Sequence, residues 1–338
     1  MRAMTLRTIA PLGTGDEPLT LADLPIPEPA PDEVLIRVSV CGVCHTELDE
    51  IEGRTPPPSL PVVPGHEVIG RVASAGANVT QFNVGDRVGV GWIFHSSGDH
   101  RENLSPEFRG TGRDANGGYA GYMVVGERYA YLIPDVFADE EAAPLLCAGG
   151  VGYRALRLAR LRDGERLGLT GFGGSGHIVL QLARHLYPAS TIYVFARSPE
   201  ERAFARELGA DWAGDTSDCP PAAPHVIIDT TPAWKPVLAA LAVLNPGGRL
   251  IINAIRKEAG DAALLADIDY ATHLWMEISH EPTLKLHINK GRIHAAAPKR
   301  PTWHRRDPSI EDRLKLRPHR TSPNMVIHVH NGERSHVT

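Results

Sequence analysis

Arg166-Leu167-Gly168-Leu169-Thr170 runs straight into Gly171-Phe172-Gly173-Gly174-Ser175-Gly176, and Ile178 to Leu186 follows with apolar residues at helical spacing. A short apolar strand, a glycine loop and a helix, in that order, decide the fold of this half of the chain. The loop fits G-x-G-x-x-G, which is weak alone and informative between a strand and a helix. Its glycines permit a tight turn and let the main chain approach a pyrophosphate, while the helix N-terminus offers N–H groups and partial positive charge. A flexible connection is the plainer reading, and it loses to what comes next. Thr191 to Ala196 predicts a strand and Glu200 to Leu208 a charged amphipathic helix. Val226 to Asp229 and Arg249 to Asn253 predict further strands around a helical stretch, Val237 to Leu244. Strands alternating with helices imply a parallel sheet with helices on both faces, the doubly wound Rossmann arrangement of the α/β class.

The turn after the second of these strands bears on the cofactor. An acidic residue there would bind the ribose hydroxyls of NAD. Phe195-Ala196-Arg197-Ser198 has none. Arg197 is suited to pair with a 2′-phosphate and Ser198 to hydrogen-bond it, which favours NADP over NAD. The alternative leaves Arg197 as a solvated surface charge, with NAD bound without an acidic partner.

Upstream the pattern is β-rich. Val34 to Val40 alternates apolar and polar residues, and Val68 to Ala73 and Arg87 to Val90 are short β-branched runs. Prolines at Pro25 to Pro31 and Pro56 to Pro64 break any helix. The 338 residues suffice for two domains, each with its own core. A hydrophobic fraction of 42% with 22% charged residues is that of a soluble globular protein. A net charge of -5 gives no reason to expect nucleic acid or an anionic membrane as partner. No apolar run has the length of a membrane span. Met1 to Ala10 lacks the apolar core of a secretory signal, so a cytoplasmic location is expected. Four cysteines in a chain this long do not make a disulfide framework.

Cys44, His66 and Cys147 stand out as candidate ligands. A catalytic zinc takes three protein ligands, Cys₂His among the known sets, and keeps its fourth position open. Thiolate and imidazole suit zinc. Their spacing alone does not reveal a site, and singly each reads as packing. Cys41 and Cys44 form C-x-x-C, but no second pair completes a zinc knuckle, and the thioredoxin-like context is unconvincing. Cys219 lies in a proline-rich loop and reads as incidental.

Six stretches together carry a resemblance: CGVCHTELD (Cys41 to Asp49), PGHEVIGRV (Pro64 to Val72), VGDRVGVGW (Val84 to Trp92), GGYAGYMVV (Gly117 to Val125), APLLCAGGVGYRAL (Ala143 to Leu156) and GFGGSGHI (Gly171 to Ile178). Over roughly Met1 to Met276 the chain resembles the zinc-containing alcohol dehydrogenases of the medium-chain dehydrogenase/reductase superfamily. The resemblance implies a GroES-like catalytic domain over residues 1–148 and a Rossmann coenzyme domain over 149–278, with a cleft between them. It makes Cys44, His66 and Cys147 the ligands of one catalytic zinc. It makes Glu67 the acid beside the metal and His45 a contact of the cofactor pyrophosphate. Thr46 becomes the hydroxyl that takes the alcohol's proton and relays it outward. Gly171, Gly173, Gly174 and Gly176 form the dinucleotide loop. The implied substrate is a small alcohol or aldehyde, and the implied assembly a homodimer or homotetramer. A zinc-free quinone or enone reductase on the same fold is the nearest alternative, and Cys44, His66 and Cys147 argue against it. An inactive nucleotide-binding homologue is the alternative of another class.

Four departures qualify the resemblance. The family's relay often ends at a histidine where this chain has Asp49, a carboxylate able to accept the proton with a different pH profile, and the family often has threonine near the nicotinamide where this chain has Val151. The lobe from Gly91 to Ser105 has serines in place of the family's outer cysteines, so no structural zinc is expected. His95, Asp99 and His100 there read as surface polar residues. Beyond about Ile278 the family pattern stops, and eight of the sixteen histidines fall beyond Ser279. Residues 279–338 read as an anomalous tail. A frameshift or internal deletion would leave such a tail, and a divergent or partly disordered extension is the alternative. The family's last Rossmann strand is missing from this reading.

Overall fold

Near the N-terminus a short antiparallel pair forms, β1 (Arg2–Leu6) with β2 (Leu19–Asp23). The computed structural model describes residues 1–13, 16–99, 102–269, 273, 279–282 and 326–328. Two compact units divide these residues, one spanning Met1–Cys147 and the other beginning at Ala148.

The first unit is built on β3 (Glu33–Gly42), which the helix α1 (His45–Ile51) follows. The strands β4 (Glu67–Ala75) and β5 (Arg87–Val90) continue the sheet. A small ribbon pairs β6 (Ile93–His95) with β7 (Arg109–Gly110). Then come β8 (Tyr122–Gly126), β9 (Ala130–Leu132) and a single helical turn, α2 (Asp139–Ala142). β4, β5 and β9 follow β3 in antiparallel order, and β8 pairs with the other edge of β3. The alternation seen in the sequence is the cause. Val34, Ile36 and Val38 of β3 meet Val68 and Val72 of β4, Val88 and Val90 of β5, and Met123 and Val125 of β8 in one core.

The second unit opens with α3 (Ala148–Ala159). The run β10 (Arg166–Thr170), α4 (Gly174–Leu186), β11 (Thr191–Phe195), α5 (Pro199–Glu207), β12 (Trp212–Gly214) forms its first half. The strands β13 (Val226–Asp229) and β14 (Arg249–Ile252) flank α6 (Lys235–Val243). These strands are parallel, in the order β12-β11-β10-β13-β14-β15. Counted from β10 this is 3-2-1-4-5-6, the doubly wound order that reverses between its first and fourth strands. Leu167, Leu169, Ile192, Val194, Ile228 and Ile251 are buried against α3 and α4. Each such side chain contributes about 1.5–3 kcal/mol by leaving water.

The sequence predicts no last strand in this sheet, and the structure has one. β15 (Ser279–Pro282) lies parallel to β14, Arg249 opposite Ser279. Ser-His-Glu-Pro has no apolar pattern to read, and an edge pairing asks only for extended backbone. β16 (Val326–His328) pairs antiparallel with β3. The rest of the predicted tail lies outside the described residues. α4 begins at Gly174, earlier than its apolar spacing suggests, because glycines make up its first turn.

Candidate metal centre and glycine-loop cradle

Register brings the first ligands together. β3 and β4 pair with Gly42 opposite Glu67, so His66 and Glu67 enter β4 beside the end of β3. A Cβ at Gly42 would stand 2.0 Å from Glu67 Oε2, so only glycine leaves that carboxylate its place. Cys44 caps α1 in extended conformation, and its N–H donates to Glu47 Oε2 at 2.8 Å. Cys147 comes from the far end of the unit, after the 3₁₀ turn Ala143–Leu146. Ala142 and Ala143 are buried against Val40 and Ile69, on the two strands that lead to the other ligands.

The ligand atoms of Cys44, His66, Glu67 and Cys147 all lie within 4.8 Å of one another. Cys44 Sγ and Cys147 Sγ are 3.8 Å apart. Two thiolates on one tetrahedral zinc, each about 2.3 Å from it, would stand about 3.8 Å apart. The donor set and its spacing fit zinc.

Electrostatics agree with a cation at this place. The neighbouring Cys147 thiol, and then His66, hold Cys44 well below the usual thiol range, while Cys44 and burial push Cys147 up. Burial opposes a charge on His66, but Glu47 and Cys44 raise it well above its usual value. Burial pushes Glu67 up to about 8. The cluster thus keeps protons that a divalent ion would displace on binding.

Glu47 is the residue that sequence reading missed. Its Oε1 is 2.5 Å from His66 Nδ1, which leaves Nε2 of the ring for a metal. A carboxylate on the second nitrogen fixes the tautomer and orientation of a ligating histidine. The signal was present as an acid three residues after Cys44, at capping-box spacing. Glu47→Gln is expected to weaken zinc binding about ten- to hundredfold with the fold retained, as measured by competition with a chromogenic chelator.

Thr46 is half-buried, with its Oγ1 3.5 Å from Cys44 Sγ. Asp49 is buried, and Arg54 Nε donates to its Oδ1 at 2.6 Å. His45 is exposed at the start of α1. In the lobe after Gly91, Tyr129 Oη donates to Ser96 O at 2.7 Å and accepts from Ser96 N–H at 2.9 Å. Ser96 Oγ donates to Glu102 O at 2.6 Å, and Trp92 packs on Phe108. His95 and Asp99 belong to no candidate metal group among the described residues, and His100 lies outside them.

In the second unit the glycine loop is shaped as a cradle. Gly171 has φ +80, and a Cβ at Gly176 would meet Gly171 O at 2.5 Å. A Cβ at Gly173 would meet no protein atom within 4 Å, so the open space lies over the main chain where α4 begins. Such a cradle fits a pyrophosphate. Arg197 is exposed and has no side-chain partner among the described residues. Ser198 is occupied differently from its sequence reading. Its Oγ caps α5 by accepting from Glu200 N–H and Glu201 N–H, and it donates to Glu200 Oε2. Arg202, also missed, donates to Ala196 O and Arg197 O and so fixes that turn.

Behind the cradle, Asp229 is fully buried at the end of β13. It forms an ion pair with Lys257 and accepts from Thr170 Oγ1 at 2.6 Å and Thr231 Oγ1 at 2.8 Å. Lys257 also donates to Thr231 O and Ala233 O. This network ties the ends of β10 and β13 to the segment after β14.

Comparison with known proteins gives consistent matches. Residues 30–135 match the alcohol dehydrogenase GroES-like domain, and residues 174–274 match the zinc-binding dehydrogenase family. A protein of Mycobacterium tuberculosis named "Probable alcohol dehydrogenase AdhA" is 41% identical over 288 residues, covering 82% of this chain and 81% of that one. Cinnamyl alcohol dehydrogenase 1 of Ocimum basilicum is 36% identical over 67% of this chain and 68% of its own. Among solved structures, a cinnamyl alcohol dehydrogenase from Sorghum bicolor superposes with a TM-score of 0.67 at 28% identity, over 83% of this chain and 82% of that chain. The protein CAD from Helicobacter pylori, complexed with NADP(H), gives 0.64 at 26% identity, over 76% of this chain and 77% of that chain.

Proposed function

Because the chain belongs to the zinc-type alcohol dehydrogenases of the medium-chain dehydrogenase/reductase superfamily, we propose that it interconverts small alcohols and aldehydes around one catalytic zinc, with NADP as hydride partner. The observation that carries this reading is the meeting of Cys44, His66, Glu67 and Cys147 within 4.8 Å. That donor set is what a zinc-free reductase on the same fold has no use for.

When bound, zinc supplies a Lewis acid for the alcohol or carbonyl oxygen, and the nicotinamide supplies the hydride acceptor or donor. Cys44, His66 and Cys147 hold the metal, and Glu67 stands beside it. Glu47 keeps His66 in one tautomer. Thr46 Oγ1 takes the alcohol's proton and passes it on. Asp49 lies three residues further along α1, on the same face of the helix. Arg54 Nε holds its Oδ1 at 2.6 Å, and it is the carboxylate at the outlet that accepts the relayed proton. His45 is assigned to the pyrophosphate by resemblance alone. The four free thiols suit a reducing compartment, the cytoplasm. Among the described residues no helix is long and apolar enough to cross a membrane.

The NADP preference rests on Arg197, since Ser198 is engaged within α5. Arg197→Leu is expected to weaken NADPH binding about tenfold or more and to leave NADH binding nearly unchanged. Paired fluorescence titrations check this. Equal losses for both cofactors would refute it.

The whole reading is tested by zinc content and turnover in freshly purified protein. About one zinc per chain, with NADPH consumed on addition of short aldehydes, is the expected result. Metal-free protein that reduces enones, or NADPH binding without turnover, would overturn it.

A further inference from the structure

The parallel sheet ends in a level row of backbone. Ala196, Gly171, Thr230 and Asn253 each follow their strand by one residue. Each is bonded to the neighbouring strand: Ala196 N–H to Gly214 O, Gly171 N–H to Phe195 O, Thr230 N–H to Thr170 O, and Asn253 N–H to Asp229 O at 2.7 Å. Gly171 begins the pyrophosphate cradle, and Arg197 follows Ala196 on one side of it. Asn253 lies on the other side, two strands from Gly171, or about 10 Å at the usual strand spacing.

Asn253 is 6% exposed. Its Oδ1 and Nδ2 are both buried without a hydrogen-bond partner among the described residues. Burying an amide with neither end satisfied is costly, and native proteins almost always avoid it. By strand alternation Asn253 faces the same side as Ile251, which packs among residues of α3 and α4. It therefore sits at the carboxyl edge of the sheet, where this fold binds its ligand.

The fold says which part of a dinucleotide comes there. The pyrophosphate occupies the first βα turn, and the ribose of the adenosine half meets the end of the next strand, here β11. The other nucleoside must extend the opposite way, over β13 and β14. In a nicotinamide dinucleotide that nucleoside carries a carboxamide, with one carbonyl oxygen and one NH₂. A primary amide is its complement, donating to the oxygen and accepting from the nitrogen.

We propose that the side chain of Asn253 binds the carboxamide of the nicotinamide ring, and so selects nicotinamide over other ring substituents. The proposal rests on the reading of this protein as a nicotinamide-dependent dehydrogenase. The network beneath it, Asp229 with Lys257, Thr170 and Thr231, holds the row in which Asn253 stands.

The test is a binding cycle on the full-length protein, read by fluorescence titration without turnover. The ligands are NADPH, its 3-acetylpyridine analogue, in which a methyl ketone replaces the carboxamide, and 2′-phospho-ADP-ribose, which lacks the ring. Wild type is expected to prefer NADPH over the analogue by about tenfold, the scale of a buried amide left unpaired. In Asn253→Leu that preference disappears, while 2′-phospho-ADP-ribose binds as before. The variant without cofactor is expected to melt no lower than wild type, because it removes an unsatisfied buried group. A residue that only shaped the loop would weaken all three ligands and lower the melting temperature, which would overturn the proposal. Unchanged discrimination in the variant would overturn it as well, and would assign the buried amide to a water molecule. If the variant fails to fold, wild type decides, since equal binding of NADPH and the analogue refutes the proposal. Wild type that binds none of the three ligands would instead refute the functional reading itself.

Discussion

Cys147→Ala is expected to leave the protein folded, to strip most of its zinc, and to lower kcat/KM with aldehydes by on the order of a thousandfold or more. The magnitude follows from what a Lewis acid is worth at a developing charge, several kcal/mol, with about 1.4 kcal/mol to each factor of ten. Cys147 is the informative ligand to remove because it alone comes from the end of its unit, 103 residues from Cys44. Ala142, Ala143 and Leu146 just before it pack on Val40 and Ile69 through their own side chains, so truncation of Cys147 to alanine leaves that packing in place. Glu67 stays within reach of Cys44 and His66 and would give a residual, weaker set. Zinc in Cys147→Ala is therefore expected to fall again when Glu67→Gln is added. Metal analysis and steady-state kinetics on the same preparations check both steps. A variant that kept stoichiometric zinc and full turnover would show that the metal sits elsewhere.

Lys257→Met is the second large effect. Removing the lysine leaves the buried Asp229 carboxyl group with two hydroxyls and no cation beside it. Breaking one side of a buried pair costs about 3–5 kcal/mol. The double variant Lys257→Met/Asp229→Leu removes both charges and is expected to regain much of that loss. Urea unfolding of the three proteins measures it. The two units are not bound to unfold together, so the transition that carries the change must be followed by a probe in the second unit, such as Trp234 beside Lys257. Equal midpoints for the single and double variants would show that the pair contributes no specific stabilisation.

Much of the second unit was legible because its strands are fully buried and short, and its punctuation is strong. Arg166 to Thr170 and Val226 to Asp229 agree with the observed strands to the residue. α3 escaped notice because Gly149, Gly150 and Gly152 dilute its apolar face. β15 escaped because an edge strand held by its main chain need not be apolar. The candidate metal ligands are a different case. No local spacing joins Cys44, His66 and Cys147, and although their residue types made them candidates, it took the resemblance to a family to make them one set. What the resemblance did not carry was the environment: Glu47 on the imidazole, Arg54 on Asp49, and Ser198 spent on a helix cap. Those depend on which side chains meet after folding. Asn253 is the extreme case, an ordinary polar residue in the sequence whose lack of partners becomes visible only once its neighbours are in place.

The distance along the chain between Cys44 and Cys147 has a mechanical consequence. A metal that holds both thiolates ties off the stretch from Cys44 to Cys147, 103 residues apart, as one loop. Tying off about 100 residues by a permanent cross-link removes chain entropy worth about 4.7 kcal/mol from the unfolded ensemble. An exchangeable ion provides such a tether only while it is bound. On the proposed ligand set, the β-rich unit is therefore expected to be cut faster by a protease once a chelator has removed the zinc, so that the ion that serves the reaction would also set how long the chain survives.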